Sequence, residues 1–138
     1  MNISSIIFSL LLGSMIFFVS IVTPAAFKSL NEKSASKFLR TVFPRIFNFG
    51  FLLAIIGSIF LYLENLQFYL ILSVSIAFAF LFNNFVLTPL INTNRDKMLD
   101  GNDNSKRVFN ILHTFSVLIY IAQIIGLVIL LFLDYYYN

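Results

Sequence analysis

The sequence predicts an all-α fold, an integral membrane four-helix bundle with a short amphipathic interfacial helix between spans one and two. Three observations carry this. Four apolar segments of roughly 20 residues each are long enough to cross the hydrocarbon core of a bilayer. The chain is 59% hydrophobic and 11% charged, with a mean hydropathy of +0.93, whereas soluble domains are about a quarter charged. All nine basic residues fall in two short stretches, Lys28, Lys33, Lys37, Arg40 and Arg45 in the first and Arg95, Lys97, Lys106 and Arg107 in the second. Four spans use most of the 138 residues, so 1–138 is expected to form a single transmembrane domain.

Span one is expected over about 3–23, ended or kinked by Pro24, which has no backbone donor. Ser29 with Glu32 three residues on is a capping-box pattern. It predicts a helix over about 30–43 with Lys33, Lys37 and Arg40 on one face and Phe38, Leu39, Val42 and Phe43 leaning to the other. Such a helix lies at the headgroups with its apolar side in lipid. Pro44 marks the start of span two, about 45–63, and the short link Glu64-Asn65-Leu66-Gln67 leads to span three, about 68–87, closed by Pro89. The polar stretch from Asn92 to Lys106 contains Asp100-Gly101-Asn102-Asp103 and is expected as a turn-rich loop, before span four over about 108–133.

Lys and Arg beside membrane spans stay on the cytoplasmic side. Loops 24–44 and 88–107 are therefore expected to be cytoplasmic in a cell inner membrane, with both termini outside. Five of the six tyrosines (Tyr62, Tyr69, Tyr135, Tyr136 and Tyr137) fall at the expected outer ends, as an aromatic belt places them. The first residues, Met1 to Ser5, carry no positive charge, so span one is read as a retained helix and not a cleaved signal. A faint internal repeat is also present. Val22-Thr23-Pro24 precedes Arg40-Thr41-Val42-Phe43 much as Leu87-Thr88-Pro89 precedes Lys106-Arg107-Val108-Phe109. A parallel duplication about an axis along the membrane normal is an arrangement known among transporters.

Helical periodicity places Ser5, Ser9, Gly13, Ser20 and Thr23 on one stripe of span one, and Gly50, Ala54 and Gly57 on one stripe of span two. Small residues let membrane helices approach closely, so both stripes read first as packing seams. Span four carries His113, Ser116, Tyr120 and Gln123 on one face. Polar groups facing hydrocarbon would go unpaired, so this face is expected to meet other helices or water. Ser20, Asn48, Asn83, Asn84 and His113 come to comparable depth near the basic ends, with Ser116 and Tyr120 below and Arg40, Arg45 and Arg95 above. This suggests a cytoplasm-facing polar pocket with a basic rim. Interhelical hydrogen bonding alone would also account for the polar groups.

Several functions are disfavoured. The chain has no cysteine, which excludes disulfides and thiolate chemistry. Ion-coupled carriers usually keep an intramembrane carboxylate, and here Glu64 and Asp134 stand at expected span ends. One histidine without cysteine cannot complete a usual zinc or copper site. A single-histidine haem, or one shared across a dimer, stays open. The basic residues sit beside membrane spans and do not suggest nucleic acid; they suit anionic lipid headgroups. No phosphate loop, nucleophile elbow or zinc-protease motif is present.

Gly13…Phe17…Pro24…Phe27, then Phe43-Pro44-Arg45, Pro89…Arg95 and Leu112-His113…Ser116-Val117 run through nearly the whole chain. In order and spacing they resemble the uncharacterised four-span family that includes transmembrane protein 205. That resemblance implies a four-helix membrane protein with Pro24, Pro44, Arg95 and His113 at signature positions, and no reaction. More distantly, the layout is similar to copper-resistance D-type proteins and membrane protoporphyrinogen oxidases. The oxidase pattern includes a histidine near the start of the first span, and this chain has none there.

The leading expectation is thus a non-enzymatic membrane protein that binds or passes a small molecule or lipid headgroup. The alternatives are a haem- or porphyrin-linked redox protein using His113, and a structural or scaffolding protein. Four helices bury limited surface, which leaves room for a homo-oligomer.

Overall fold

A computed structural model describes residues 2–137, with the side chains of 2–136; Met1, Asn138 and the Tyr137 side chain lie outside the described residues. Four helices form the bundle: α1 (Ile3–Ser29), α2 (Glu32–Leu63), α3 (Gln67–Leu99) and α4 (Asp103–Tyr137). All four are long and apolar enough to span a membrane, and the chain is a multi-pass membrane protein. The helices alternate in direction and pack in a ring, α1 on α2, α2 on α3, α3 on α4 and α4 back on α1. Both links bearing the basic stretches therefore lie at one end, the basic end. The Glu64–Leu66 link lies at the other, the terminal end.

The expected spans are all present, and each helix is longer than expected. At 1.5 Å per residue, α2 with its 32 residues is about 48 Å long, well beyond a hydrocarbon core of roughly 30 Å. The excess lies at the basic end, where helix continues through segments expected to be loops. Residues 92–99 belong to α3, and only Asp100–Asn102 separate it from α4. The expected interfacial helix over 30–43 is not a separate element: from Glu32 onward it is the first part of α2. Pro44 lies inside α2 without ending it, because the loss of one backbone hydrogen bond is small beside the packing on both sides. The N-cap is Asn31, whose Oδ1 accepts the Ser34 N–H at 2.9 Å. Ser29, the expected cap, instead closes α1.

Pro24 and Pro89 do not end their helices either. Each follows a π-helical turn, Phe18–Val22 in α1 and Asn83–Leu87 in α3. A proline ring clashes with the carbonyl four residues back and offers it no N–H. Widening the preceding turn to five-residue spacing relieves the clash. Thr23 N–H accordingly reaches Phe18 O, and Thr88 N–H reaches Asn83 O. The two π turns and their Thr-Pro pairs are 65 residues apart, so the faint sequence repeat coincides with a repeated backbone feature.

The links are tight and alike. Asn65 (φ 60°) and Gly101 (φ 91°) adopt the left-handed conformation. Asn65 N–H bonds to Tyr62 O and Leu66 N–H to Leu61 O; Gly101 N–H bonds to Met98 O and Asn102 N–H to Lys97 O. Both are Schellman closures, which satisfy the last carbonyls of a helix before the chain reverses.

The core is apolar and aromatic. Phe8, Leu11, Met15, Phe47, Phe80, Leu127 and Leu130 are buried in it. The small-residue stripe of α2 is a packing seam, as expected. Ala54 is fully buried, a Cβ on Gly50 would come within 2.6 Å of the Phe80 ring, and one on Gly57 would overlap Phe8. The stripe on α1 behaves otherwise. Ser5 is buried at the terminal end, but Ser9, Gly13 and Ser20 are exposed, and a Cβ on Gly13 would meet nothing within 4 Å. Within the chain it is not a seam, because Phe8, Leu11, Met15 and Phe18 occupy the opposite, core-facing side of α1.

Candidate functional site

The second π turn begins with Asn83 and Asn84, and both are buried. Asn83 Oδ1 accepts the Ser116 hydroxyl of α4 at 2.6 Å. Asn84 Nδ2 donates to Asn48 Oδ1 of α2 at 2.7 Å, and Thr88 Oγ1 closes the turn on Asn83 O at 2.8 Å. One widened turn of α3 thereby reaches both its neighbours with side-chain amides. Slightly deeper, the Tyr120 hydroxyl donates to Met15 O at 3.2 Å and Gln123 Nε2 donates to Ile76 O at 3.1 Å. An aromatic group adjoins this layer. Phe47 lies 6.4 Å from both Phe80 and Tyr120, and Phe43 links it to Phe18 at 5.3 Å, so all four helices contribute a ring.

The structure thus brings Asn48, Asn83, Asn84, Ser116 and Tyr120 into hydrogen-bonded contact between helices. It does not bring His113 or Ser20 there. Ser20 is exposed and its hydroxyl donates to Ile16 O in its own helix at 2.5 Å. His113 is exposed and stacks on Phe109, with ring centroids 5.7 Å apart. It sits about 60° around α4 from Ser116, enough to carry it off the face that meets α3. The residues around His113 in this chain do not enclose a macrocycle: the imidazole is exposed and stacked on a neighbouring ring, which does not fit a haem held within one chain.

The expected basic rim is partly paired. Arg40 grips Asp96 with two hydrogen bonds, Nη2 to Oδ1 at 2.6 Å and Nη1 to Oδ2 at 3.3 Å, and Nη2 also approaches Asn92 O at 3.5 Å. Arg45 is exposed and Arg95 half-buried. Asp96 lies in the segment expected to be a loop; its helical continuation of α3 places it opposite Arg40, a pairing that an irregular loop does not specify.

Five buried polar atoms lack a hydrogen-bond partner among the described residues: Thr23 Oγ1, Arg40 Nε, Asn83 Nδ2, Arg95 Nε and Gln123 Oε1. The first four are donors on the half of the bundle nearer the basic end. Asn83 is the most enclosed of these residues, with 0% exposure.

A second polar cluster at the terminal end was not expected. Ser4 Oγ donates to Glu64 Oε2 at 2.7 Å, the Ser5 hydroxyl donates to Asp134 Oδ2, and Asn2 Nδ2 reaches Asp134 Oδ1 at 3.4 Å. Asp134 is buried and stands beside the first turn of α1, where the positive end of the helix dipole favours a carboxylate. The signal was available in Asn2-Ile3-Ser4-Ser5, a run of hydroxyl and amide groups at a helix start.

Residues 6–99 match the model of a family described as a domain of unknown function, DUF4149. The chain belongs to this family. The DUF4149 match takes in α2, α3 and both π turns and stops at Leu99, before α4. Asn48, Asn83 and Asn84 are therefore inside the family region, whereas Ser116 and Tyr120 are contributed from beyond it. Neither the curated proteins nor the solved structures contain a match to the chain.

Proposed function

We propose that this multi-pass membrane protein binds or passes a small acceptor-bearing molecule, or a lipid headgroup, at the interhelical layer around the second π turn. The observation that carries this reading is the Asn83 amide. Its Nδ2 is buried without a partner at the start of a π turn, and π turns inside α-helices frequently mark functional positions. A buried donor without a partner costs roughly 1–3 kcal/mol, a cost that a bound acceptor would remove.

Asn83, Asn84 and Asn48 would supply the hydrogen bonds, and Arg45 and Arg95 would favour an anionic group approaching from the basic end. The positive-inside tendency supports placing that end in the cytoplasm, with the termini outside, in an inner membrane. The repeated π-Thr-Pro unit supports passage as well as binding, since parallel repeats occur among transporters.

Native mass spectrometry of the detergent-extracted protein tests this. Wild-type protein and a His113→Ala variant should carry the same co-purifying small molecule, and Asn83→Ala should lose it. A wild-type protein that carries none, or an Asn83→Ala variant that retains it, would contradict the reading.

A further inference from the structure

We propose that the outward face of α4 at the basic end is a site for one anionic phospholipid, separate from the interhelical layer and independent of its function. Two shallow surface depressions adjoin there and share Asn110 and Ile111. The one nearer the helix start is bordered by Lys106 and Arg107 with a single carboxylate, Asp103. The other continues along Thr114, Phe115 and Leu118.

The chemical order along this strip is the order along a phospholipid. Two exposed cations come first, then the amide of Asn110 and the hydroxyl of Thr114, then exposed apolar side chains at Ile111, Phe115 and Leu118. From Lys106 to Leu118 the strip covers about 18 Å of helix, enough for a headgroup, the ester region and the first part of the acyl chains. The cations suit a phosphate, the amide and hydroxyl can donate to phosphate or ester oxygens, and the apolar residues accept the chains.

Charge complementarity selects the occupant. Lys106 and Arg107 outnumber Asp103, so an anionic headgroup is favoured over a zwitterionic one. A second copy of the chain docked face to face would oppose these cations to themselves. Lys33 and Lys37 are also exposed at the basic end, but the exposed residue beside them, Phe38, is followed by buried Leu39 and half-buried Arg40. They therefore make a useful comparison, with equal charge but a different surface.

The test uses the full chain in nanodiscs containing equal phosphatidylglycerol and phosphatidylcholine, read by native mass spectrometry after release into detergent. Wild-type protein should retain phosphatidylglycerol in preference to phosphatidylcholine. A Lys106→Gln/Arg107→Gln variant should hold it about tenfold more weakly, and a Lys33→Gln/Lys37→Gln variant should match wild type. Ser20→Ala, at an exposed hydroxyl bonded to its own helix, should also match wild type, and Lys106→Gln/Arg107→Gln should keep any small molecule that Asn83→Ala loses, which keeps this outcome apart from that of the interhelical layer. Equal losses in the two lysine-bearing variants would show only the general field of the basic end and would overturn the site. Unchanged retention in Lys106→Gln/Arg107→Gln, or a dimer mass that this variant abolishes, would overturn it as well.

Discussion

Ser116 of α4 and Asn83 of α3 are joined by a 2.6 Å hydrogen bond that leaves the far end of the same amide, Nδ2, buried and unpartnered. This pair ties the last helix to the π turn. With Ser116→Ala the amide would lose its side-chain partner at Oδ1 as well. Interhelical hydrogen bonds in membranes average only about 0.6 kcal/mol, but a fully buried amide without partners carries a desolvation cost of about 1–3 kcal/mol. We expect Ser116→Ala to destabilise the bundle by about 1–2 kcal/mol, measured by reversible unfolding in mixed micelles. Ser20→Ala, which removes an exposed hydroxyl bonded to its own helix, should change stability by less than about 0.5 kcal/mol.

The glycines separate a seam from a surface. Gly50 and Gly57 receive the rings of Phe80 and Phe8, and Gly13 faces open space. Overpacking a core costs about 1–3 kcal/mol. Gly57→Val should therefore lower the unfolding free energy by about 1–3 kcal/mol, and Gly13→Val should not. If Gly13→Val changes the mass of the purified particle without altering monomer stability, the exposed stripe of α1 is a contact between chains.

Bundle membership was legible in the sequence because hydropathy reports on lipid contact directly, and four apolar runs leave few alternatives. Helix ends were less legible. Pro24 reads as an end or kink of span one, Pro44 as the start of span two and Pro89 as a stop by local rules, yet helix is carried through all three, two by a π turn and one inside continuous helix. Local propensity loses here because flanking segments pack on neighbours for many residues on both sides. The polar layer was legible in its members Asn48, Asn83, Asn84, Ser116 and Tyr120, since depth and periodicity follow from 1.5 Å and 100° per residue. The π turns break that regularity, and a lone histidine attracts more attention than its position at the margin of the helix face warrants. The Asp134 cluster was hidden because carboxylates near span ends are assumed to be solvated.

Asp134 should be structural. Its carboxylate accepts from Ser5 and Asn2 beside the first turn of α1. Asp134→Leu removes these acceptors and the favourable charge at the helix start, and should cost about 1–3 kcal/mol. Amide hydrogen exchange should show faster exchange confined to the beginning of α1 and the Glu64–Leu66 link. Protection equal to wild type at those amides would show that the cluster does not hold the terminal end together.

The Arg40–Asp96 pair should contribute little. Its side chains are 32% and 59% exposed, and exposed ion pairs typically yield 0 to about 1 kcal/mol that salt screens. Asp96→Asn should lower stability by no more than about 1 kcal/mol at low salt, with the difference shrinking at high salt. A loss well above that range, persisting in salt, would mean that the pair is shielded from solvent by a partner or ligand.

Inward and outward placement on one face of α4 and the adjoining turn of α3 is the claim on which the proposed layer rests. The natural chain has no cysteine, so single Asn83→Cys and His113→Cys variants can be compared in detergent with a small maleimide. Fast labelling at 113, with labelling at 83 much slower in the folded protein and matching that at 113 only after denaturation, is the predicted result. Labelling at 83 as fast as at 113 in the folded protein would contradict it.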